Sequence, residues 1–113
     1  MENKTSQTAT DDKTNFVFGW CAIEREVIHN SRSLGFWDRD WHISTRLAEI
    51  HSEVTGVLDA AKDGNKTSEK IPKSSKCEEK LADAVIRIMD LAAGMNWDVA
   101  SAIVAKIEYN ARR

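Results

Sequence analysis

Apolar residues recur every three or four positions in four separate stretches of this chain, and no stretch alternates with a period of two. That spacing places apolar side chains along one side of an α-helix, whereas a half-buried strand would need strict alternation. The 113 residues contain one proline and five glycines, too few for a β architecture rich in turns. We therefore expect an all-α fold in which four helices form a bundle.

The amino-terminal stretch differs from the rest of the chain. Residues 1–14 are almost entirely polar and offer little to bury, which predicts a disordered tail. The first helical pattern begins at Asn15, and three more follow along the chain. Residues 15–113 are therefore expected to form a single domain.

Local signals predict where the helices begin and end. The third helix is predicted to start near Ser74 or Ser75 and to run to Gly94, and Ser75 and Glu78 have the spacing of a capping box. Gly35 is expected to end the first helix, because glycine accepts the left-handed conformation that follows a last turn. The other expected signals are Ser44 or Asp40 as the second N-cap, Asp63-Gly64-Asn65 after the second helix, and Asp98 as the fourth N-cap.

Charge and composition exclude several classes of protein. Sixteen lysines and arginines against eighteen aspartates and glutamates give a formal net charge of -2, which argues against a nucleic-acid partner. No apolar run approaches the ~20 residues needed to span a bilayer, so no membrane partner is expected. Cys21 and Cys77 are far apart and fit no metal or redox spacing, which predicts a reducing, cytoplasmic location.

The third helix is apolar on two sides and carries a line of charged residues between them. The charged line consists of Glu79, Asp83, Arg87 and Asp90. A helix with two apolar sides is buried in a bundle or at an interface between subunits, so we expect a homo-oligomer, either a dimer or a tetramer. The charged line is expected to face partner groups, because an unpaired buried charge is costly.

Acidic residues on two helices suggest a metal site. Glu49 and Glu53 lie one turn apart on the second helix, and Glu79 and Asp83 lie one turn apart on the third. If the two helices pack side by side, the four carboxylates converge, and a hard divalent cation such as Mg²⁺ would relieve their repulsion. An ion held in this way commonly takes phosphate oxygens as its remaining ligands. The alternative is that all four are solvated charges on helix surfaces.

The chain also resembles a known family. The stretches GFWD (35–38), IHSEV (50–54), EEKLADAVIRIMDLA (78–92) and KIEYNARR (106–113) resemble, in their order and separation, a phage-type member of the MazG-like family. This resemblance implies an all-α bundle that hydrolyses nucleoside triphosphates to the monophosphate and pyrophosphate. It also implies that Mg²⁺ is held by a Glu-x-x-Glu motif on one helix and a Glu-x-x-Asp motif on the next.

Two of the four acids of that pattern are replaced in this chain. Glu53 matches the first acid of Glu-x-x-Glu, but the second falls on Gly56. Asp83 matches the last acid of Glu-x-x-Asp, but the first falls on Lys80. We expect Lys80 to lie within reach of Glu53 or Asp83, where a carboxylate would otherwise bind the metal.

The replacements leave two functions open. In the first, the chain is a Mg²⁺-dependent pyrophosphohydrolase that cleans the nucleotide pool, and Glu49 and Glu79 supply the missing ligands beside Glu53 and Asp83. Glu53, Asp83 and Glu79 would then carry the catalysis. In the second, the chain is a catalytically inactive homologue that binds nucleotides or acts as a scaffold, with Lys80 paired to an acid.

Further residues are expected to bind the nucleoside triphosphate. Lys106 and Asn110 match the part of the family that touches the substrate phosphates, and Lys80 would help to neutralise those phosphates. Trp37 precedes the acidic helix, where its ring could stack on a nucleobase. The alternatives are a basic carboxyl terminus that complements the helix dipole and a tryptophan that belongs to the core.

Overall fold

Four α-helices make up the part of the chain that the computed structural model describes, residues 4–38 and 40–112, and this part contains no β-strand. In chain order the helices are α1 (Lys4–Ser33), α2 (Ile43–Lys62), α3 (Lys76–Met95) and α4 (Val99–Ala111). The predicted all-α class and the four helices are confirmed for these residues. Within the same ranges, no helix combines the length and the apolar character needed to cross a membrane.

The first helix begins earlier than the sequence predicts. Residues 4–14, expected to be a disordered tail, form the first turns of α1, and residues 1–3 lie outside the described residues. No glycine or proline occurs before Gly19, so nothing in the sequence interrupts the helix as it extends towards the amino terminus. Lys13 Nζ lies 3.0 Å from Glu108 Oε1, and this ion pair joins the extended part of α1 to α4.

The signals at α3 and α4 act as the sequence predicts. Ser75 Oγ accepts a hydrogen bond from the Glu78 N–H (3.2 Å), and the Ser75 N–H donates to Glu78 Oε1 (2.8 Å). The bond from the Ser75 N–H, helped by the serine hydroxyl, holds the pKa of Glu78 below its ordinary value. Asp98 caps α4 by accepting a hydrogen bond from the Ser101 N–H at 3.1 Å. The C-cap of α3 is Asn96, in the left-handed conformation with φ of 59°.

The start of α2 differs from both predicted N-caps. His42 is the N-cap residue, and its side chain makes no capping hydrogen bond. Asp40 lies in the connection before the helix, and Ser44 lies inside the first turn. A capping serine or aspartate therefore does not decide this boundary. Arg46 Nη2 donates to the carbonyl oxygen of Phe36 at 2.7 Å, which ties the first turn of α2 to the preceding connection.

Helices α2 and α3 pack side by side as an antiparallel pair, and α1 lies against α3 and α4. Among the residues whose burial the structure describes, few apolar ones are buried: Ile28, Ala60, Ala84, Met89, Leu91, Ala92 and Ala100. Leu81, Val85 and Ile86 of α3 remain 51%, 40% and 47% exposed. The single chain therefore leaves open apolar surface of α3 that the sequence predicts to be covered.

Candidate functional site

The two replaced positions of the expected metal site touch each other where α2 faces α3. Lys80 Nζ lies 3.9 Å from Glu53 Oε2, which confirms that Lys80 lies within reach of Glu53. The lysine reaches this acid by passing over Gly56, where an added Cβ atom would lie 3.2 Å from Lys80 Cδ. The glycine therefore makes room for the methylene chain of the lysine, and the two replacements form one packed arrangement.

Arg87 on α3 binds both acids of α2. Its Nη1 lies 2.9 Å from Glu49 Oε2, and its Nε donates to Glu53 Oε1 at 3.1 Å. The planar guanidinium presents donors in a fixed fork, and carboxylates one helical turn apart can each take one of them. Glu49 and Glu53 therefore share one cationic partner within the chain, Arg87.

Glu79 faces the loop between α2 and α3. Its Oε1 accepts a short hydrogen bond from the hydroxyl of Ser68. Ser68 is only 1% exposed, and its Oγ also accepts a hydrogen bond from the Ile71 N–H at 3.1 Å. Glu79 therefore anchors the loop to α3 and does not share a site with the acids of α2.

The structure does not bring the four expected carboxylates together. Among residues 4–38 and 40–112, no group of three or more His, Cys, Asp or Glu side chains is placed to hold a metal ion. Glu49 and Glu53 bind Arg87, Lys80 approaches Glu53, and Glu79 binds Ser68. Mg²⁺ requires several oxygen ligands in near-octahedral geometry. The donor set as it is arranged does not fit this ion.

Asp83, the remaining expected acid, lines a cavity of about 420 Å³. The cavity lies between the carboxyl-terminal half of α1, helices α2 and α3, and the loop that joins them. Glu53, Lys70, Lys80 and Arg87 line the same cavity. Arg46 and Asp90 also line it, so four of the six other charged side chains are cationic, and the surroundings of Asp83 are more basic than the sequence motif implies.

Trp37 is half-buried and held by contacts within the protein. Its Nε1 donates to Asp90 Oδ1 at 3.0 Å, and its ring lies directly over Gly94 of α3. The ring of Trp41 meets it edge-on at 4.9 Å between centroids, and the guanidinium of Arg46 lies 4.9 Å from its centroid. The expected stacking of Trp37 on a nucleobase would have to compete with these contacts.

Lys106 and Asn110 lie on α4, which packs against α1. Both side chains are exposed, and Lys106 Nζ lies 4.7 Å from the centroid of the Tyr109 ring. Neither residue lines the cavity that contains Asp83. Within one chain, the structure does not join these two expected phosphate contacts to the acids of α2 and α3.

Two residues of this region were not singled out from the sequence. Arg87 belongs to the charged line of α3, for which partner groups are expected, but the sequence does not identify Glu49 and Glu53 as its partners. Lys70 lies in a polar loop, and nothing in the sequence distinguishes it from the neighbouring lysines.

Comparison with known proteins leaves the family open. No family model, no curated protein and no solved structure matches the chain. The resemblance to the MazG-like family therefore stays a prediction from the sequence.

Proposed function

We propose that this chain is a non-hydrolysing homologue of the MazG-like nucleoside triphosphate pyrophosphohydrolases, which binds nucleotides without a metal ion. The observation that carries the proposal is Lys80, whose ammonium group approaches Glu53 across the space that Gly56 leaves open. A cation at this place repels Mg²⁺ and neutralises one of the carboxylates that would bind the ion.

Loss of the metal implies loss of hydrolysis. In metal-assisted phosphate chemistry the ion neutralises the phosphates and helps to generate the attacking water. Lysine and arginine can neutralise and position phosphates, but neither of them activates water as a bound Mg²⁺ does. A cavity lined by Lys70, Lys80 and Arg87 is therefore suited to holding phosphates and poorly suited to cleaving them.

The competing proposal is an active enzyme in which Glu49 and Glu79 complete the metal site. In that arrangement Glu49 would have to leave Arg87, and Glu79 would have to leave Ser68. Both bonds are charge-assisted, and Ser68 would lose the acceptor of its buried hydroxyl. The geometry therefore favours the inactive homologue.

The wild-type chain is expected to release no pyrophosphate above background from any common nucleoside triphosphate in the presence of Mg²⁺. A coupled pyrophosphate assay on wild type and Glu79→Gln tests this, with circular dichroism to verify that both remain helical. Release by the wild type that Glu79→Gln abolishes would establish the active enzyme. Release that Glu79→Gln does not change would contradict both proposals.

We further propose that the chain pairs with a second copy through α2 and α3. Leu47, Val54 and Leu58 fall on one side of α2, at spacings of seven and four residues, and are 43%, 52% and 54% exposed. Leu81 and Val85 form an exposed strip on α3, roughly opposite to the charged line. A second copy carries the same strips, so a two-fold pairing would cover both at once.

Light scattering at micromolar concentration is expected to give at least the mass of a dimer. Leu58→Glu should shift the protein towards the monomer, because it places a charge in the proposed contact. Ser101→Glu, an exposed change on α4, is the matched control and should leave the mass unchanged. A wild type that remains a helical monomer under these conditions would contradict the pairing.

A further inference from the structure

Most charged groups on the wall of the 420 Å³ cavity already have partners within the protein. Glu53 binds Arg87 and approaches Lys80, and Asp90 accepts two hydrogen bonds from neighbouring side chains. Arg46 donates to a backbone carbonyl oxygen. These contacts fix the shape of the wall, and among these groups Arg46 keeps its Nε buried without a hydrogen-bond partner.

Lys70 and Asp83 are different. In the described part of the chain, neither side chain forms a hydrogen bond or an ion pair, although both line this cavity. One charge of each sign is therefore available to a ligand. A ligand that satisfies both must carry an anionic group for the lysine and a hydrogen-bond donor for the aspartate.

The loop between α2 and α3 holds Lys70 in place. Ser68, two residues earlier, is buried and accepts a hydrogen bond from the Ile71 N–H at 3.1 Å. The Ser68 N–H donates to the Ser74 carbonyl oxygen, and the Ser74 N–H donates to the Ile71 carbonyl oxygen, each at 2.9 Å. Lys70 therefore sits in a tightly bonded turn that presents its side chain to the cavity.

The rest of the wall combines two polar residues, Asn30 and Ser31, with an apolar part contributed by Val27, Leu34, Phe36 and Ile86. Leu34 and Phe36 are 64% and 41% exposed, so a flat ring can reach them from solvent. The volume of the cavity falls within the range typical of small-molecule sites, roughly 300–1,000 Å³. A nucleotide carries an anionic group, hydrogen-bond donors and a flat ring, and so offers a partner to Lys70, to Asp83 and to the apolar part of the wall.

We propose that this cavity binds a nucleoside phosphate directly, with the phosphate on Lys70 and a sugar hydroxyl or base amino group on Asp83. This inference rests on the proposed function, since it assigns Asp83 to the nucleoside and not to a metal ion. It also makes Lys70 a phosphate-binding residue.

Calorimetric titration in EDTA tests the assignment with two kinds of probe: the four common ribonucleoside triphosphates and inorganic tripolyphosphate. Lys70→Gln should weaken the binding of both kinds about tenfold, because each probe loses a charge-assisted contact. Asp83→Asn should weaken the binding of the nucleotides by a similar factor. It should leave tripolyphosphate unchanged or bound more tightly, because this probe has no nucleoside and is repelled by the carboxylate.

The matched controls are Lys73→Gln and Asp12→Asn, which change exposed residues outside this cavity and should not alter binding. Equal effects of Lys70→Gln and Lys73→Gln would overturn the inference. The inference would also be overturned if Asp83→Asn lost affinity equally for the nucleotides and tripolyphosphate, or if the wild type bound neither probe. Pyrophosphate release by the wild type would overturn the proposed function alone, because the pattern in EDTA is independent of hydrolysis.

Discussion

The double variant Gly56→Glu/Lys80→Glu is expected to bind Mg²⁺ and to release pyrophosphate from nucleoside triphosphates. The change removes an ammonium group that repels the ion and supplies two carboxylates beside Glu53 and Asp83, in the pattern that the family resemblance implies. Losing even an outer partner of a metal ligand typically costs about 10- to 100-fold in affinity or activity, so restoring two ligands should raise Mg²⁺ affinity by at least about 100-fold. Calorimetry with Mg²⁺ and the pyrophosphate assay measure the two gains.

Each single change is expected to do much less than the double variant. Gly56→Glu alone places the new carboxylate against Lys80, whose chain must shift because Cδ would lie 3.2 Å from the added Cβ. Lys80→Glu alone leaves the site one ligand short. Ligands that act on one ion are strongly non-additive, so the double variant should exceed the sum of the singles.

Gly56→Gln/Lys80→Gln is the matched control for the double variant. It removes the ammonium group and fills the same space without adding carboxylates, and it should gain neither Mg²⁺ affinity nor pyrophosphate release. If the glutamate variant folds normally and also gains nothing, the alignment of Gly56 and Lys80 with the two missing acids is wrong.

Gly94→Ala is expected to destabilise the protein by about 1–3 kcal/mol, the usual cost of forcing extra atoms into a packed site. A Cβ atom at this position would overlap three carbon atoms of the Trp37 ring. The ring must then move, and its hydrogen bond to Asp90 is lost with it. Urea unfolding monitored by far-ultraviolet circular dichroism measures the change in the free energy of unfolding.

Gly19→Ala provides the matched control within α1. A Cβ atom at Gly19 would meet no other atom within 4 Å, so the change should stabilise the helix by about 0.5–1 kcal/mol. In the background of Trp37→Ala, Gly94→Ala should no longer lower the free energy of unfolding, because the overlapping ring is gone. A Gly94→Ala variant as stable as Gly19→Ala would show that Trp37 does not occupy this place.

Features that depend on neighbouring residues could be predicted from the sequence. The capping box of Ser75 and Glu78, the N-cap Asp98 and the left-handed Gly35 each depend on a few adjacent positions, and the structure has all three. The start of α1 could not be predicted in this way. Its first turns lack an apolar periodic pattern, and a contact as distant as Lys13 with Glu108 does not appear in local spacing.

The candidate site was predictable only in part, because ion pairs between helices depend on how the helices pack, which local sequence spacing does not show. The alignment of Gly56 and Lys80 with missing acids implied that Lys80 approaches Glu53 or Asp83, and the structure shows the contact with Glu53. The sequence did not show that Arg87 forms ion pairs with the two acids of α2. It also did not show that a buried serine of the loop donates a hydrogen bond to Glu79.

Lys80 supplies its positive charge from within the protein, whereas a metal ion must bind from solution. A bound ion stabilises a fold by mass action, so the unfolding midpoint of a metal-dependent bundle follows the free ion concentration. The ammonium group of Lys80 is part of the side chain and does not bind from solution, so its contribution to stability does not depend on any free concentration. Under the proposed function, every copy that folds carries its own positive charge at this place, and its unfolding midpoint is expected not to follow the Mg²⁺ concentration.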